Sequence, residues 1–549
     1  MRPLELVVAV TSVIALAVIA TPGLRAYRQF GHLPILPTIT AFAQVTVEGS
    51  RWQMVPTYCL SGALLCVWLW RLRGTSRRLP TAQHPERRRW RRPLARLAFG
   101  AGTIMLTASV ALATAFPVFH FPQPRGPYAI GTITYHWVDS ERHEIFSADP
   151  STKRELMAQV WYPALPGTTA QRAPYVRDAT AISTGLAANL SASGLLRLPN
   201  FMFDYFGYVE TNAVPGAVVA ENVSDDEAGF PVLIYLTGFS GWSSTNTLQV
   251  QELVSHGYVV VGLDQPYTAA AVTFPDGTVV QALDRARERK LVDQSIVPVN
   301  PALELNGLPL EDGIIPYLAE DVSFTLNKLA DINAGRGEAA ELADVDGGDL
   351  ADADGNLADA DGNLAGEDGV LAGKLDLNSV GVFGVSLGAM AGAQSCHNDL
   401  RLKACLMVDA AMPVAVVESG LTQPAMWVTR DADVMRLERE KSGGWSEDEI
   451  RMTQDTMRDT FGKSTSPSKY FVDVPGAFHV DFTDAPLWTP INKQLGLSGP
   501  QGAQTPEILG AYVKAFFDEA LRSRPAPLLD GTLKPYPGVV VRSDPTVKK

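Results

Sequence analysis

Cysteine is scarce in this chain. There are four among 549 residues, and no two form a C-x-x-C pair. That excludes a cysteine-built zinc site and a small fold stapled by disulfides. Basic charge is scarce over most of the length. Only 32 of the 46 Lys and Arg residues lie beyond residue 120, against 56 of the 59 Asp and Glu residues. So acidic a body lacks the electrostatic footprint of a nucleic-acid binder. Histidine is sparse too, with eight residues at 32, 84, 120, 136, 143, 256, 397 and 479.

The first 120 residues reverse the charge, with 14 basic residues and 3 acidic ones. They also carry three apolar stretches. Leu4 to Ala20 has Glu5 as its only charge, and Arg2 stands before it. Met54 to Trp70 is short and ends in aromatics, and Leu97 to Phe119 is uncharged. Such lengths suit membrane-spanning helices, and the absence of an A-x-A-like cleavage site favours an anchor over a signal peptide. Between the second and third stretches lie ten arginines, from Arg71 to Arg96. Flanked by two apolar spans, they suit a cytoplasmic positive-inside loop. Three crossings then put the N-terminus inside, residues 22–53 outside and everything after about Phe119 outside. An interfacial or re-entrant second stretch is the alternative. The expected organisation is a membrane region over 1–120 and a catalytic domain over 121–549.

Past the stiff linker Phe121 to Pro127, Gly131 to Val138 and Leu156 to Tyr162 alternate like paired strands. Residues 174–220 predict short helices, read either as packing helices or as a lid with an exposed apolar face around 186–206. Pro231 to Leu236, the turn Thr237-Gly238-Phe239-Ser240-Gly241-Trp242, a helix over Thr247 to His256 and a strand over Tyr258 to Leu263 form a βαβ unit. That makes the sheet mostly parallel. A helix is expected over 316–332. Next comes a low-complexity Asp/Gly stretch over 340–373, with L-A-D-A-D-G-N repeated at Leu350–Asn356 and Leu357–Asn363. Leucine occupies the first ligand position of the calcium-loop pattern, so a solvated insertion is the better reading. Strands are expected at 404–408, 424–428 and 470–474. One charged helix is expected over 434–457 and a closing helix over 508–521. A tail follows from Pro525.

The chain is organised around Asn378 to Ala393. An apolar strand runs into Gly384-Val385-Ser386-Leu387-Gly388, and a small-residue helix follows. Strand, sharp turn and helix form the context a G-x-S-x-G nucleophile elbow requires. A serine hydroxyl needs a base to take its proton and an acid to orient that base. On an α/β-hydrolase fold the order is Ser, then acid, then His. Only His397 and His479 follow Ser386. His397 lies at the end of the nucleophile's own helix, so His479, after the last strand, is the candidate base. The acid is Asp409, or Asp431 or Asp433, each at a strand end, and spacing does not choose among them. Backbone N–H groups of Phe239 and Leu387 are the candidate oxyanion donors.

At these residues the chain resembles the type II (plasma-type) platelet-activating factor acetylhydrolases and their bacterial homologues. The resemblance covers about Gly126 to Leu529, apart from the Asp/Gly stretch. It rests on G-P-Y-A-I-G-T at 126–132, R-E-L-M-A-Q-V-W-Y-P at 154–163 and L-V-S-H-G-Y-V-V at 253–260. It rests further on G-V-F-G-V-S-L-G at 381–388, V-D-A-A-M-P at 408–413 and G-A-F-H-V-D-F-T-D at 476–484. The family places its acid in an L-D-A-like segment, which selects Asp409. Its oxyanion turn usually reads S-H-G-x-G, and here Thr237 replaces the histidine. The resemblance implies an α/β-hydrolase fold and a serine esterase; with the N-terminal apolar stretches as its membrane anchor, short-acyl phospholipids or other lipid esters are the expected substrates. No metal and no organic cofactor are implied. A broad-specificity or polyester (cutinase-like) hydrolase, or a non-catalytic tethered binding protein, are the alternatives. Cys396 and Cys405 are read either as a disulfide or as two buried thiols.

Overall fold

The computed structural model describes all residues except 22–30, 76–84, 168–170, 193–196, 223–228, 337–368 and 544–549. The repeat at Leu350–Asn363 lies outside the described residues, as do Leu195, Leu196 and part of the arginine loop. The chain divides into two compact units, 1–119 with 488–491, and 120–487 with 492–549.

The N-terminal unit holds helices α1 (Pro3–Ala20), α2 (Leu36–Glu48), α3 (Val55–Thr75) and α4 (Pro85–Ala115). Stretches within α1 and α4, and the stretch Trp52–Trp70 that runs into α3, are long and apolar enough to cross a membrane, with mean hydropathy 2.3, 1.7 and 1.2. Helix α2 went unforeseen because Pro34 and Pro37 interrupt its start and its 13 residues span only about 20 Å. It runs antiparallel to α1. The Leu4 N–H donates to Glu48 at 2.7 Å, and the Thr11 and Thr40 hydroxyls meet at 3.0 Å. Helix α3 runs back again, with the Tyr58 hydroxyl donating to Gln44 at 2.6 Å. Helix α4 reverses once more, with the Thr57 N–H donating to Ser109 at 3.0 Å. One end of the bundle therefore gathers the start of α1, the end of α2, the start of α3 and the end of α4. There the buried Arg51 pairs with the buried Glu5 at 3.0 Å and donates to the Phe116 carbonyl at 2.5 Å. Helix α2 thus carries the chain back along the bundle between α1 and α3.

The second unit is built on a ten-stranded sheet. Its strands are β1 (Ala129–His143), β2 (Lys153–Ala164), β3 (Ala213–Pro215), β4 (Phe230–Leu236), β5 (Val259–Asp264), β6 (Leu375–Val385), β7 (Leu402–Val408), β8 (Ala425–Thr429), β9 (Lys469–Asp473) and β10 (Val540–Arg542). The order across the sheet is β10-β9-β8-β7-β6-β4-β5-β2-β1-β3. The six strands from β5 to β9 pair in parallel, and antiparallel β2 and β10 flank them. Every residue of β4 is buried, as a continuous apolar run covered on both faces requires. Successive side chains alternate between the two faces. Ile234 packs on one side with Leu318, Val322 and Leu326 of α8 (Ile315–Asn333). Leu233 and Tyr235 pack on the other with Leu253 of α6 (Thr247–Ser255) and Phe516 of α13 (Thr505–Arg522). The remaining helices are α5 (Ala179–Ala192), α7 (Arg285–Ile296), α9 (Leu387–Asn398), α10 (Val414–Ser419), α11 (Ala432–Ser442) and α12 (Glu447–Lys463).

Two expectations change, and a choice between two readings is made. The charged stretch over 434–457 is two helices, because Gly443 and Gly444 take φ of 82° and 77°, outside the right-handed helical region. The tail from Pro525 includes edge strand β10, whose Arg542 pairs with Asp473 on β9. Around 186–206, Phe203, Tyr205 and Phe206 are buried with Tyr175 and Trp242, so the described part of this stretch packs inward. Only Phe201 there remains substantially exposed among its large apolar side chains.

Candidate active site

Strand β6 ends at Val385, and Ser386 is the residue before α9. Its backbone has φ 57° and ψ −124°, a conformation that is costly for a residue with a side chain. The surroundings impose it. The Ser386 N–H donates to the Val408 carbonyl at 2.9 Å, while its own carbonyl accepts from Ala389 at 2.9 Å. Both motif glycines are required by close approach. A Cβ on Gly388 would lie 2.1 Å from the Leu236 carbonyl oxygen, and one on Gly384 would lie 2.4 Å from the Gly388 backbone. Helix α9 thus seats directly on the ends of β4 and β6, and Ser386 stands half-buried at the turn.

The turn after β4 brings the candidate oxyanion donors to the same place. A Cβ on Gly238 would lie 3.1 Å from the Ser386 Cβ. The turn is held by Ser240, which takes φ 57°, donates its N–H to Thr268 and accepts from the Asn189 amide at 2.5 Å. Gly241 closes it on Gly238 at 2.9 Å. Phe239 is half-buried. Leu387 is the first residue of α9, and N–H groups of a helix's first turn have no intrahelical acceptor. Thr237, in place of the family's histidine, is tied to Thr245 at 2.8 Å.

Strand β7 ends at Val408 and delivers Asp409, buried, with φ 49°. Its Oδ2 accepts from His479 Nδ1 at 2.7 Å and from Arg430 Nε at 2.9 Å. Its Oδ1 accepts from the Thr429 hydroxyl at 3.3 Å. Burial pushes the Asp409 carboxyl up. The Arg430 charge and the His479 hydrogen bond outweigh that and hold it at about 2. An ionised Asp409 obliges Nδ1 of His479 to carry the proton, which leaves Nε2 as the basic nitrogen. His479 opens a short 3-10 turn, and the loop is pinned by Asp481, which accepts from Phe478 and Gly499 N–H groups.

The structure therefore brings Asp409 to His479, and not Asp431 or Asp433. Asp431 caps α11 by accepting from Val434 at 2.9 Å, and the Asp433 side chain is 91% exposed beside Arg436. His397 meets Ser419 at an exposed position, at 3.0 Å. Sequence reasoning missed Arg430, Glu438 and Trp445. Arg430 is wholly buried and binds both Asp409 and Glu438, and Trp445 lies against both Arg430 and His479. The signals were a lone arginine after the apolar run Ala425–Val428 and the Gly443-Gly444 pair. The structure joins Cys396 and Cys405 as a disulfide. No group of metal-ligating side chains occurs among the described residues.

The family model for platelet-activating factor acetylhydrolase, isoform II, matches residues 113–505. The chain belongs to this family. As an acetylhydrolase-family member it is a carboxylic ester hydrolase with an α/β-hydrolase fold. Among solved structures it is similar to a ferulic acid esterase from Streptomyces cinnamoneus. That likeness has 24% identity, covers 77% of this chain and 99% of that one, and has a TM-score of 0.53. At that identity it speaks for the fold alone. No curated protein matches the chain. The family match takes in the elbow, the Asp409 segment and the His479 loop.

Proposed function

We propose that this acetylhydrolase-family member is a membrane-anchored serine esterase that cleaves short-acyl phospholipids or other lipid esters. Ser386 Oγ attacks the ester carbonyl carbon while His479 Nε2 takes its proton. The Phe239 and Leu387 N–H groups hold the negative charge that develops on the carbonyl oxygen. The intermediate collapses, His479 protonates the departing alcohol, and the acyl group stays on Ser386. Water, deprotonated by His479, then attacks the acyl-enzyme and releases the carboxylic acid and free Ser386. Asp409 holds the imidazole in the tautomer that makes Nε2 the base. The observation that carries this reading is the 2.7 Å contact of His479 with a buried, ionised Asp409, on a chain whose Ser386 sits on a strained elbow.

The test uses the full chain in detergent, on short-acyl phospholipid and p-nitrophenyl acetate, with Ser386→Ala alongside. Ester cleavage is expected to fall by about 10⁵–10⁶ in the variant. Wild-type protein that is folded, inactive and unlabelled by a fluorophosphonate would leave only the binding-protein reading.

One observation favours a second substrate class. Thr237 stands where the family's oxyanion histidine is usual, so the acyl pocket differs there from the family pattern. A higher kcat/KM on polyester oligomers or aryl esters than on short-acyl phospholipid would select the broad-specificity reading.

For the membrane, the reading is three spanning helices, α1, α3 and α4, with the shorter α2 returning the chain along the bundle and the arginine loop cytoplasmic. The domain that begins after Phe116 and the N-terminus then both lie outside, which revises both the N-terminus and the one-sided reading of 22–53. The Cys396–Cys405 disulfide suits an oxidising compartment. An N-terminal tag that proteases reach on intact cells supports this topology, and one reached only after lysis overturns it.

A further inference from the structure

Asp409 does not meet His479 alone. Its Oδ2 is shared between His479 Nδ1 at 2.7 Å and Arg430 Nε at 2.9 Å. Arg430 follows β8 directly and is wholly buried. Its other end is held too. The Nη1 group donates to Glu438 of α11, and the Arg430 carbonyl accepts from Gln454 of α12 at 2.8 Å. The guanidinium lies 5.0 Å from the ring centre of Trp445, a cation–π distance. Trp445, at φ 49° in the turn made by Gly443 and Gly444, also presents its ring edgewise to the His479 imidazole at 5.1 Å. Glu438 closes the circuit, because its carboxylate accepts from the His479 backbone N–H at 3.3 and 3.4 Å.

Burying a guanidinium is costly unless each charge has a partner. Here both partners of Arg430 are groups that also hold His479, one at its ring and one at its backbone. An arginine serving only to tie β8 to its neighbours would need no such sharing. We infer that Arg430, seated by Glu438 and Trp445, is a positioning residue that fixes the orientation and charge balance of the Asp409–His479 pair. It touches no reacting atom and acts through Asp409. The inference rests on the triad reading above. The planar guanidinium offers separate N–H groups to two carboxylates, Nε to Asp409 and Nη1 to Glu438, so lysine would replace the charge without the geometry.

The charged and titratable groups facing His479 are Asp409 from β7, Arg430 from β8, Glu438 from α11 and Asp481 from its own loop. Removing the Arg430 cation makes the imidazolium easier to form, so the acid limb of the kcat/KM profile moves to higher pH. Removing the Glu438 charge moves it the other way.

The experiment measures full-length Arg430→Met, Arg430→Lys and Glu438→Gln in detergent, counting active sites with a fluorophosphonate so that misfolded protein drops out. For Arg430→Met, kcat per labelled site is expected to fall about 10- to 100-fold with KM changed less than about threefold. Its acid limb is expected to rise by about 0.5–1 in pH. Arg430→Lys is expected to restore the limb but not the full kcat. If Arg430→Met fails to fold, Glu438→Gln, which keeps the arginine, is expected to lower the limb. An unmoved limb and unchanged kcat per labelled site overturn the inference and leave Arg430 a structural residue. A wild-type enzyme that neither labels nor cleaves esters overturns the triad reading instead, and the inference with it.

Discussion

Two buried arginine–carboxylate clusters sit on this sheet, and only one carries a histidine. At the first, Asp321 of α8 accepts four N–H groups. Arg142 donates at 2.7 Å, Arg154 at 3.2 and 2.6 Å, and Gln265 at 2.7 Å. At the second, Asp409 accepts from Arg430 and Thr429 and gives its remaining direction to His479. Both carboxyls are pushed up by burial, and in both the neighbouring cations more than offset it and hold them below the usual range. The local electrostatics are thus nearly the same. The difference lies in what the carboxylate is left free to bind. Asp321 is wholly occupied by groups that do not titrate near neutrality, so it ties β1, β2 and α8 together. Asp409 accepts from two such groups, Arg430 and Thr429, and its third partner is the half-buried imidazole of His479.

Neutral amides at the two positions break the comparison most directly. Asp409→Asn is expected to lower kcat by about 10⁴, because the amide no longer enforces the Nδ1–H tautomer. Its melting temperature should fall as well, because the buried Arg430 loses one of its two carboxylates. Asp321→Asn is expected to cost about 3–5 kcal/mol, since it leaves Arg142 and Arg154 without their shared counter-charge. Its kcat per fluorophosphonate-labelled site should match the wild type. Denaturant melts and site-normalised kinetics on both variants check this. A large fall in kcat per site at Asp321, or none at Asp409, would undo the assignment.

The contrast also explains what was legible in the sequence. The serine elbow was visible because strand, turn and helix are a local pattern, and Gly384 and Gly388 mark the close approaches that the structure contains. The parallel core was visible because β4 to β9 are short apolar runs separated by turn residues. His479 could be reached by chain order alone. The choice among Asp409, Asp431 and Asp433 could not, because all three end or follow strands, and only pairing across 70 residues separates them. Arg430 and Glu438 were hidden for the same reason. An arginine in sequence carries no sign that it is buried, and the glycine pair before Trp445 falls inside the stretch expected as one charged helix. In the N-terminal unit, α2 was hidden because its length falls short of a span and its prolines look like a loop.

The disulfide gives a smaller and purely structural test beside the Asp409 segment. Cys396 ends α9 and Cys405 lies in β7, nine residues apart, so the bond staples the nucleophile's helix to the strand that delivers Asp409. Closing so short a loop is worth about 2–3 kcal/mol. Replacing both cysteines by alanine is expected to lower the melting temperature by several degrees without changing kcat per labelled site. A melting temperature that is the same for both proteins, and unmoved by reductant, would favour the thiol reading.

A third buried carboxyl sharpens the comparison because the hydrogen bonds described for it come from a serine. Asp264, at the end of β5, accepts from the Ser243 N–H and hydroxyl at 2.5 and 2.8 Å. Burial pushes it up to about 6, against the lowering effects of the Ser243 hydrogen bonds and the Arg177 charge. The signs of the two groups are opposite. Asp409, depressed to about 2, contributes stability that is present above about pH 4 and lost as pH falls through 2. Asp264, raised, contributes stability that is present below about pH 4 and lost as pH rises through about 6. The loss amounts to about 3 kcal/mol if the whole displacement is expressed. Asp264→Asn keeps an acceptor for Ser243 and cannot ionise. Glu288 and Asp484, which burial also raises, titrate in the same direction, so the informative quantity is the variant minus the wild type. That difference is expected to grow in the variant's favour between pH 4 and 7 and then level off. A flat difference would mean that Asp264 stays ionised in the folded protein, and that solvent or Arg177 reaches it well enough to stand in for the guanidinium that Asp409 and Asp321 possess.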